Sequence, residues 1–405
     1  MMSKGKKKNK GYNNMNTKIT EKVRYIGVDD LDIDLFESQY DVPNGMSYNS
    51  YIILDDKVAV LDTVDARKAD EWKRNLAEAL GSRQPDYLVV HHMEPDHAAL
   101  VAEMLETYPS LKVVSSAKAL QMMPQFFEGL NIDGRAIEVK EGDSLSLGEH
   151  TLTFYTAPMV HWPEVIVSYD DIDKILFSAD GFGKFGALSA DEDWACEARR
   201  YYFNICGKYG PQVTRLLEKA AALDIKMICP LHGPILTENL SYYVGLYKTW
   251  AAYEVETEGV LVAYASIHGG TKAVAERMAE ILREKGAGKV ALADLSRDDM
   301  AEAVEDAFRM GHLVVAAASY DANVFPPMHK FLHHLQMKNY QNRRVAVIEN
   351  GSWAPTAGKI MTSMLQEMKN ITIVPPMVTI KSRMKTTDIP KLQVLAEALL
   401  SEESL

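Results

Sequence analysis

Four potential metal ligands stand within six residues of one another, directly after an apolar run at residues 87–90. They are two imidazoles and two carboxylates: His92, Glu94, Asp96 and His97. Bringing these groups together without a cation would cost desolvation and like-charge repulsion, whereas iron, zinc and manganese all accept such ligands. Pro95 lies among them and favours a loop over a helix face. The segment therefore predicts a metal site on a loop that leaves a buried strand.

Three later residues of the same chemical types also follow apolar runs. The runs at 152–155, 175–179 and 227–231 precede His161, Asp180 and His232. Each residue alone is a weak signal, because Asp followed by Gly is most often a turn. Strands that end side by side direct the residues after them to one sheet edge. We therefore expect these three residues to join the first four in one site.

The ordered series of ligands resembles that of the metallo-β-lactamase superfamily, whose dizinc hydrolases usually carry His-x-His-x-Asp-His at the first position. Glu94 stands here in place of the second histidine. That replacement resembles the flavodiiron proteins, in which a β-lactamase-like domain with two irons precedes a flavodoxin-like domain. The resemblance runs from about Ile26 to about Leu400. It implies one iron held by His92, Glu94 and His161, a second held by Asp96, His97 and His232, and Asp180 as the bridge between them.

The length of the chain and its alternating strand and helix patterns indicate two α/β domains. The chain has 405 residues, more than a single domain usually holds. Residues 1–22 are polar and basic without periodicity, and we expect them to be disordered. Strands mixed with covering helices over 23–253 indicate an α/β sandwich, which by the resemblance is a metallo-β-lactamase-like αββα sandwich. A linker is expected at 254–259, and a flavodoxin-like, doubly wound parallel sheet at 260–405.

A loop rich in hydroxyl groups and glycine lies between the strand pattern at 260–265 and the helix pattern at 272–285. Backbone N–H groups and the helix dipole make such a loop a phosphate site. Its spacing is neither that of a Walker loop nor that of the dinucleotide fingerprint. It resembles the phosphate loop of flavodoxins, which implies that FMN is bound. The candidate residues are Ser266, His268, Gly269, Gly270 and Thr271.

Two further loops follow buried strand patterns at residues 313–318 and 344–348. An open parallel sheet places its ligand at the carboxyl ends of its strands, so both loops are expected at the flavin site. Tyr320 and Trp353 are the predicted aromatic walls for the flavin ring. The candidate residues of these loops are Ser319, Tyr320, Asp321, Ala322, Asn323, Asn350, Gly351, Ser352 and Trp353.

Composition excludes several classes of function. The formal net charge of −12 disfavours nucleic acid as a partner. No stretch approaches 18 uninterrupted apolar residues, so no membrane span is expected. Three cysteines without a Cys-x-x-Cys pair fit a reducing compartment, and we expect a cytoplasmic protein.

Three functions remain open. The resemblance implies a flavodiiron reductase, an oxidoreductase that passes electrons from FMN to two irons and reduces dioxygen to water, nitric oxide to nitrous oxide, or both. The alternative is a dizinc hydrolase of the metallo-β-lactamase fold with an appended flavodoxin module. The third is an electron carrier whose first domain is only a scaffold. Glu94 favours iron and weighs against the second, and the full ligand set weighs against the third.

The partners follow from the same resemblance. The sequence contains no Cys-x-x-Cys pair of the kind a rubredoxin-like module needs, so we expect an external electron donor, which by the resemblance is usually rubredoxin or a rubredoxin reductase. The linker of about six residues gives the second domain little freedom to approach the irons of its own chain. The family pairs head to tail, with the flavin of one chain facing the irons of the other. We therefore expect a homodimer, or a tetramer made of two such dimers.

Overall fold

The structure is a computed structural model that describes residues 17–401. The described chain forms two compact units, and neither is continuous in sequence. The first unit contains the residues up to 34, then 42–191 and 224–238. The second contains 35–41, 192–223 and the residues from 239 onward. The predicted domain bounds at 253 and 260 do not coincide with the bounds of these units and stay a prediction.

The first eight elements of the described chain are all strands, and strands and helices mostly alternate only in its later part. The strands are β1 Thr17–Lys18, β2 Val23–Tyr25, β3 Val28–Asp30, β4 Leu35–Phe36, β5 Tyr40–Asp41, β6 Met46–Tyr48, β7 Tyr51–Leu54, β8 Val58–Leu61, β9 Tyr87–Val89, β10 Lys112–Ser115, β11 Ala136–Glu138, β12 Ser144–Ser146, β13 Thr151–Thr156, β14 Ile166–Asp170, β15 Ile175–Phe177, β16 Met227–Cys229, β17 Thr257–Ala265, β18 Lys289–Asp294, β19 Met310–Tyr320, β20 Asn323–Val324, β21 Arg343–Asn350 and β22 Ile371–Ile380.

The α-helices are α1 Ala69–Leu80, α2 Pro95–Ala98, α3 Val101–Thr107, α4 Ala117–Phe126, α5 Trp194–Ile205, α6 Gly210–Ala220, α7 Leu240–Ala251, α8 Gly270–Glu284, α9 Met300–Arg309, α10 Pro326–Met337, α11 Ala357–Gln366 and α12 Ile389–Leu400. Short 3-10 helices lie at Ala66–Lys68, Gly207–Tyr209 and Thr386–Asp388. None of these helices combines the length and apolar character that a membrane crossing requires.

Two large sheets and the small antiparallel pair β3-β6 form the first unit. The larger has the order β1-β2-β7-β8-β9-β10-β11, and the smaller has the order β12-β13-β14-β15-β16. Apolar side chains from both sheets share one buried core, for example Tyr51 from the larger sheet and Phe154 and Phe177 from the smaller. Burying these large rings between the sheets supplies the main driving force for the sandwich.

Strand β9 positions the first ligand segment. It pairs in parallel with both β8 and β10, so its end lies inside the sheet rather than at an edge. The segment after it corrects the prediction of a loop, because residues 95–98 form the short helix α2. Pro95 is the first residue of that helix, a position where its missing N–H costs nothing and its fixed φ is favourable. Asp96 and His97 are therefore presented from a helical turn.

The second unit is built on an open sheet of five parallel strands in the order β18-β17-β19-β21-β22. Relative to the second half of the chain this order is 2-1-3-4-5, that of a flavodoxin-like doubly wound sheet. The short strand β20 pairs antiparallel with β19. Helices α8 and α12 cover one face of the sheet and share its core with Val262, Val314 and Ile348. The carboxyl ends of β17, β19 and β21 thus meet at one edge.

Helix α5 belongs to the second unit although it precedes β17 by about fifty positions in the chain. The ring of Phe203 stacks on that of Phe308 in α9, with 4.3 Å between centroids. Arg199 forms two 2.7 Å hydrogen bonds with the carboxylate of Glu256. These contacts fasten helix α5 to helix α9 and to the segment that precedes β17, through both packing and charge.

Two boundary predictions need correction. Strand β17 begins at Thr257, so the second half of the expected linker at 254–259 is already paired with its neighbours β18 and β19. Most of the predicted disordered leader, residues 1–16, lies outside the described residues. Its last part does not lack structure, because β1 pairs antiparallel with β2.

Candidate functional site

One group of four predicted ligands converges after the strands β9, β13 and β15: His92, Glu94, His161 and Asp180. Nε2 of His161 lies 2.9 Å from Oε2 of Glu94 and 3.2 Å from Oδ2 of Asp180. Nε2 of His92 lies 3.3 Å from Nε2 of His161 and 3.3 Å from Oε2 of Glu94. Two imidazole nitrogens and two carboxylate oxygens thus face a common centre.

A second group contains the other three predicted ligands: Asp96, His97 and His232. Nε2 of His232 lies 3.2 Å from Oδ2 of Asp96. Nε2 of His97 lies 3.4 Å from the same oxygen. All three side chains are buried. The structure therefore brings together all seven residues that the sequence singled out, in two adjacent groups.

The carboxylate of Asp180 lies between the two groups. Its Oδ2 is 3.2 Å from Nε2 of His161 in the first group. Its Oδ1 is 3.2 Å from Nε2 of His97 in the second group. One carboxylate that offers one oxygen to each group has the arrangement of a bridging ligand.

The donor set fits a pair of metal ions. Among the described residues, both carboxylate oxygens of Asp96 and of Asp180 are buried without a hydrogen-bond partner, and so are both ring nitrogens of His97. Leaving so many buried polar atoms unsatisfied is costly unless a cation uses them. A set of mixed imidazole and carboxylate ligands suits iron. These seven residues would hold the metals.

The charges of the group stabilise the ionised carboxylates. Burial raises the pKa of Glu94, but hydrogen bonding to His161 and His92 outweighs it and lowers the pKa well below its usual value. Burial likewise opposes ionisation of Asp180, whereas the charge of His92 and the close ring nitrogens of His161 and His97 bring its pKa well below the ordinary value. Anionic oxygens are the form that binds a metal.

A carboxylate outside the ligand set orients the first histidine. Oε1 of Glu164 accepts a hydrogen bond from Nδ1 of His92 at 2.7 Å and one from the backbone N–H of Met93 at 3.0 Å. Metal-binding histidines commonly carry such a partner on the other ring nitrogen. Sequence reasoning missed this role, although Glu164 follows His161 closely in a segment that had been singled out.

The histidine next to the ligands has a different role. Nδ1 of His91 lies 2.5 Å from Oδ2 of Asp62, and its Nε2 lies 2.8 Å from Oγ of Ser168. Asp62 follows β8 in the larger sheet, and Ser168 belongs to β14 in the smaller one. His91 therefore joins the two sheets behind the ligand segment, with both ring nitrogens engaged away from the metal groups.

The second unit holds a cavity of about 710 Å³ at the carboxyl edge of its parallel sheet. Twelve of the fourteen predicted flavin residues line it: Ser266, His268, Gly270, Thr271, Ser319, Tyr320, Asp321, Ala322, Asn350, Gly351, Ser352 and Trp353. The side chain of Trp353 is 92% exposed, and that of Tyr320 is 45% exposed. Two aromatic surfaces at the rim of such a cavity are available for stacking on a planar ring.

The phosphate end of the cavity fits an anion. Oγ of Ser266 is buried without a hydrogen-bond partner among the described residues. Gly269 precedes α8 with a φ of 81°, a left-handed conformation that favours glycine, so that the loop turns directly into the helix. Helix N-termini offer free N–H groups to phosphate. An FMN phosphate would supply the acceptor that Ser266 lacks.

Two predicted flavin residues do not line the cavity. Gly269 shapes the turn described above. Asn323 lies in β20, and its Oδ1 accepts a hydrogen bond from the N–H of Val324 at 2.7 Å. Conversely, six lining residues were not predicted: Ile267, Ala318, Ala354, Thr356, Ser382 and Arg383. The last two follow β22, whose two prolines, at 375 and 376, hide its strand pattern.

The chain resembles known proteins along most of its length. A family described as "ODP family beta lactamase" matches residues 46–233. The anaerobic nitric oxide reductase flavorubredoxin of Salmonella typhi is 26% identical over 367 residues, which cover 87% of this chain and 76% of that protein.

Solved structures agree with the sequence relatives. The rubredoxin oxygen:oxidoreductase from Desulfovibrio gigas superposes with a TM-score of 0.89 at 27% identity, covering 95% of this chain and 97% of that one. The flavodiiron protein from Giardia intestinalis has a TM-score of 0.86 at 22% identity, with 96% and 97% covered, and this likeness is one of fold. The predicted fold class is confirmed: a metallo-β-lactamase-like αββα sandwich followed by a flavodoxin-like doubly wound parallel sheet.

Proposed function

Because this chain belongs to the flavodiiron proteins, which are oxidoreductases that carry FMN and a diiron site, we propose that it reduces dioxygen to water, nitric oxide to nitrous oxide, or both. The observation that carries this proposal is the pair of ligand groups joined by Asp180, with a carboxylate from Glu94 in the first group. The relatives support both substrates, since one is named as a nitric oxide reductase and the other as an oxygen oxidoreductase.

When bound, a diiron pair and a reduced flavin supply two electrons each, which together match the four that dioxygen needs to become water. Reduction of two nitric oxide molecules to nitrous oxide and water takes two electrons and two protons. The side chains of this chain would position those groups. Because Asp96, His97 and Asp180 are buried, their ligand atoms are held in place and water does not compete with a metal for them.

The assignment of single residues is part of the proposal. We infer that His92, Glu94 and His161 hold one iron, that Asp96, His97 and His232 hold the other, and that Asp180 bridges them. Asp180 supports this division because each of its oxygens faces a different group. In the second unit, Ser266 and Thr271 would bind the FMN phosphate, and Tyr320 and Trp353 would flank the ring.

The electron donor and the assembly are also proposed. A rubredoxin is the donor that the name of the Desulfovibrio gigas relative supports. We further propose a head-to-tail homodimer, or a tetramer of two such dimers, in which the flavin of one chain serves the irons of its partner. The dizinc hydrolase with a flavodoxin module is the less favoured alternative, because Glu94 replaces a histidine of the zinc ligand set.

The test is the composition and activity of the purified full chain. We expect a yellow protein with FMN and about two irons per chain, because the ligand set suits iron. Steady-state rates with nitric oxide under anaerobic conditions, set against rates with dioxygen, would then decide the preferred substrate. A colourless protein that contains zinc and hydrolyses a β-lactam or thioester would overturn the reductase. Rapid dioxygen consumption with NADH alone, without an added carrier, would contradict the external donor.

A further inference from the structure

We propose that Arg383 binds the phosphate group of FMN and makes the cavity selective for FMN over riboflavin. The inference rests on the proposed flavin function of the second unit and names a residue that determines its cofactor specificity. Arg383 comes from the loop after β22, the edge strand of the parallel sheet. None of the three loops recognised in the sequence contains it.

The loop after β22 is fixed against the start of α8. The carbonyl oxygen of Ser382 lies 2.5 Å from where a Cβ would stand on Gly270, the first residue of α8. The N–H of Ser382 donates to Oδ1 of Asn350 at 3.0 Å, and Nδ2 of Asn350 donates back to the carbonyl of Ser382 at 2.9 Å. Only glycine at position 270 permits this approach. The loop therefore reaches the same helix N-terminus as the phosphate loop.

Local hydrogen bonds set the direction of the loop. Ser382 has a φ of 66°, a left-handed conformation that a serine adopts only where its surroundings enforce it. The N–H of Arg383 donates to the carbonyl of Lys381 at 3.0 Å. Nζ of Lys385 donates to the carbonyls of Lys381 and Arg383, both at 3.0 Å. A turn restrained in this way holds Arg383 beside the cavity that it lines.

The charge of Arg383 distinguishes it from the other residues that line the cavity. Among those described residues it is the only lysine or arginine, while Asp321 carries a negative charge. The phosphate loop offers neutral donors, such as the hydroxyl groups of Ser266 and Thr271. A guanidinium adds a permanent positive charge and a fork of N–H donors that matches phosphate oxygens. Riboflavin has the same ring and ribityl chain but no phosphate, so it gains nothing from this contact.

The experiment compares two ligands on matched variants of the full chain. After removal of bound flavin, the dissociation constants of FMN and riboflavin are measured by quenching of flavin fluorescence. We expect Arg383→Met to lower the affinity for FMN by about tenfold or more, as for a lost hydrogen bond to a charged group. The affinity for riboflavin should stay unchanged. Lys381→Met removes an equal charge two residues away, from a residue that does not line the cavity, and is the control. Added salt should weaken FMN binding to the wild type more than to Arg383→Met.

The outcomes separate this inference from the flavin function itself. An equal loss of FMN and riboflavin affinity in Arg383→Met would mean that the residue only supports the loop, and would overturn the phosphate contact. An equal loss of FMN affinity in Lys381→Met and Arg383→Met would show that any nearby positive charge has this effect, and would overturn a specific contact of Arg383 with the phosphate. Arg383→Lys should regain part of the FMN affinity. A wild-type chain that binds neither flavin would instead overturn the proposed function.

Discussion

Oε1 of Glu164 lies 2.7 Å from Nδ1 of His92, on the side of the ring opposite to the ligand group. Burial raises the pKa of Glu164, but its hydrogen bond with His92 prevails and leaves the pKa below the usual value, so the carboxylate is ionised. An anionic acceptor fixes the ring with Nε2 toward the ligand group, and it would make that nitrogen a stronger donor to a metal held there. We therefore propose that Glu164 is a positioning residue for an iron held by His92, Glu94 and His161.

Replacing Glu164 with Gln should lower the affinity for iron by roughly 10- to 100-fold. The amide orients the imidazole of His92 less firmly, and the negative charge of the Glu164 carboxylate is lost. Iron retention during titration with a chelator measures this directly. The spectrum of the diferric state should also change, which a merely structural defect would not produce. Glu164→Asp should recover part of the affinity, whereas Glu128→Gln, at an exposed position, should behave as the wild type.

Replacing Glu94 with Gln tests the ligand assignment. A neutral amide is a poorer ligand than a carboxylate, so iron content and turnover should both fall. FMN content should stay at the wild-type level, because the flavin cavity lies in the other unit. Metal analysis and the flavin absorbance of the same sample check both statements. Normal iron with full activity would show that Glu94 is not a ligand.

Mixing two inactive variants tests the head-to-tail dimer. One chain carries Glu94→Gln and the other carries substitutions at Thr271 and Trp353 that disable the flavin cavity. A mixed dimer retains one intact cross-subunit pair of cofactors, so part of the activity should return. Mass spectrometry of the mixture verifies that subunits have exchanged. Exchange without any recovery would place electron transfer within a single chain.

Lys338 gives a prediction for the pH dependence of stability. Burial lowers the pKa of Lys338 to about 8, against the opposing charge of Glu37. The pKa of a lysine in the unfolded chain is 10.5. Between about pH 8 and that pKa, the unfolded chain binds more protons at Lys338 than the folded chain does, so the contribution of Lys338 to stability rises with pH. Below about pH 8 the folded chain bears the full cost of a buried charge, roughly 2–3 kcal/mol.

Lys338→Met should therefore unfold at a higher denaturant concentration than the wild type at pH 7. The advantage should shrink as the pH rises from about 8 toward 10.5. The substitution does not orphan the carbonyl of Asn204, which also accepts a hydrogen bond from the hydroxyl of Tyr40 at 3.1 Å. Lys330→Met, at an exposed position of helix α10, which ends just before Lys338, should show no such trend. A difference that stays constant with pH would refute the lowered pKa.

The convergence of the seven candidate metal ligands could be predicted from the sequence because their chemistry is local. Each of them follows a strand within a few residues, so its side chain type and its place at a sheet edge are both visible in the pattern. The parallel sheet of the second unit is predictable for the same reason, since its strands are continuous apolar runs. Helix α2 was missed because Pro95 breaks a helix interior yet favours a first turn.

Other residues were missed because their roles depend on contacts between distant segments. Glu164 becomes a partner of His92 only when β13 and β14 bring its loop beside the first ligand segment. Ser382 and Arg383 reach the flavin cavity only because the chain after β22 crosses to the start of α8. No periodicity or spacing in one segment reports such a crossing. These positions are found from coordinates, not from patterns.

The attachment of helix α5 to the second unit constrains how proteins of this kind are recombined. Residues 192–223 belong to the second unit, through contacts such as Phe203 on Phe308 and Arg199 on Glu256, although they are encoded inside the diiron half. A gene fusion cut at residue 256 or 257 would strip this helix from the module it belongs to and expose the ring of Phe308 to water. Transplanting the flavin module into another protein would therefore require three separate segments of sequence, 35–41, 192–223 and the residues from 239 onward. Inheritance of the two halves as one reading frame is the simplest way to keep them together.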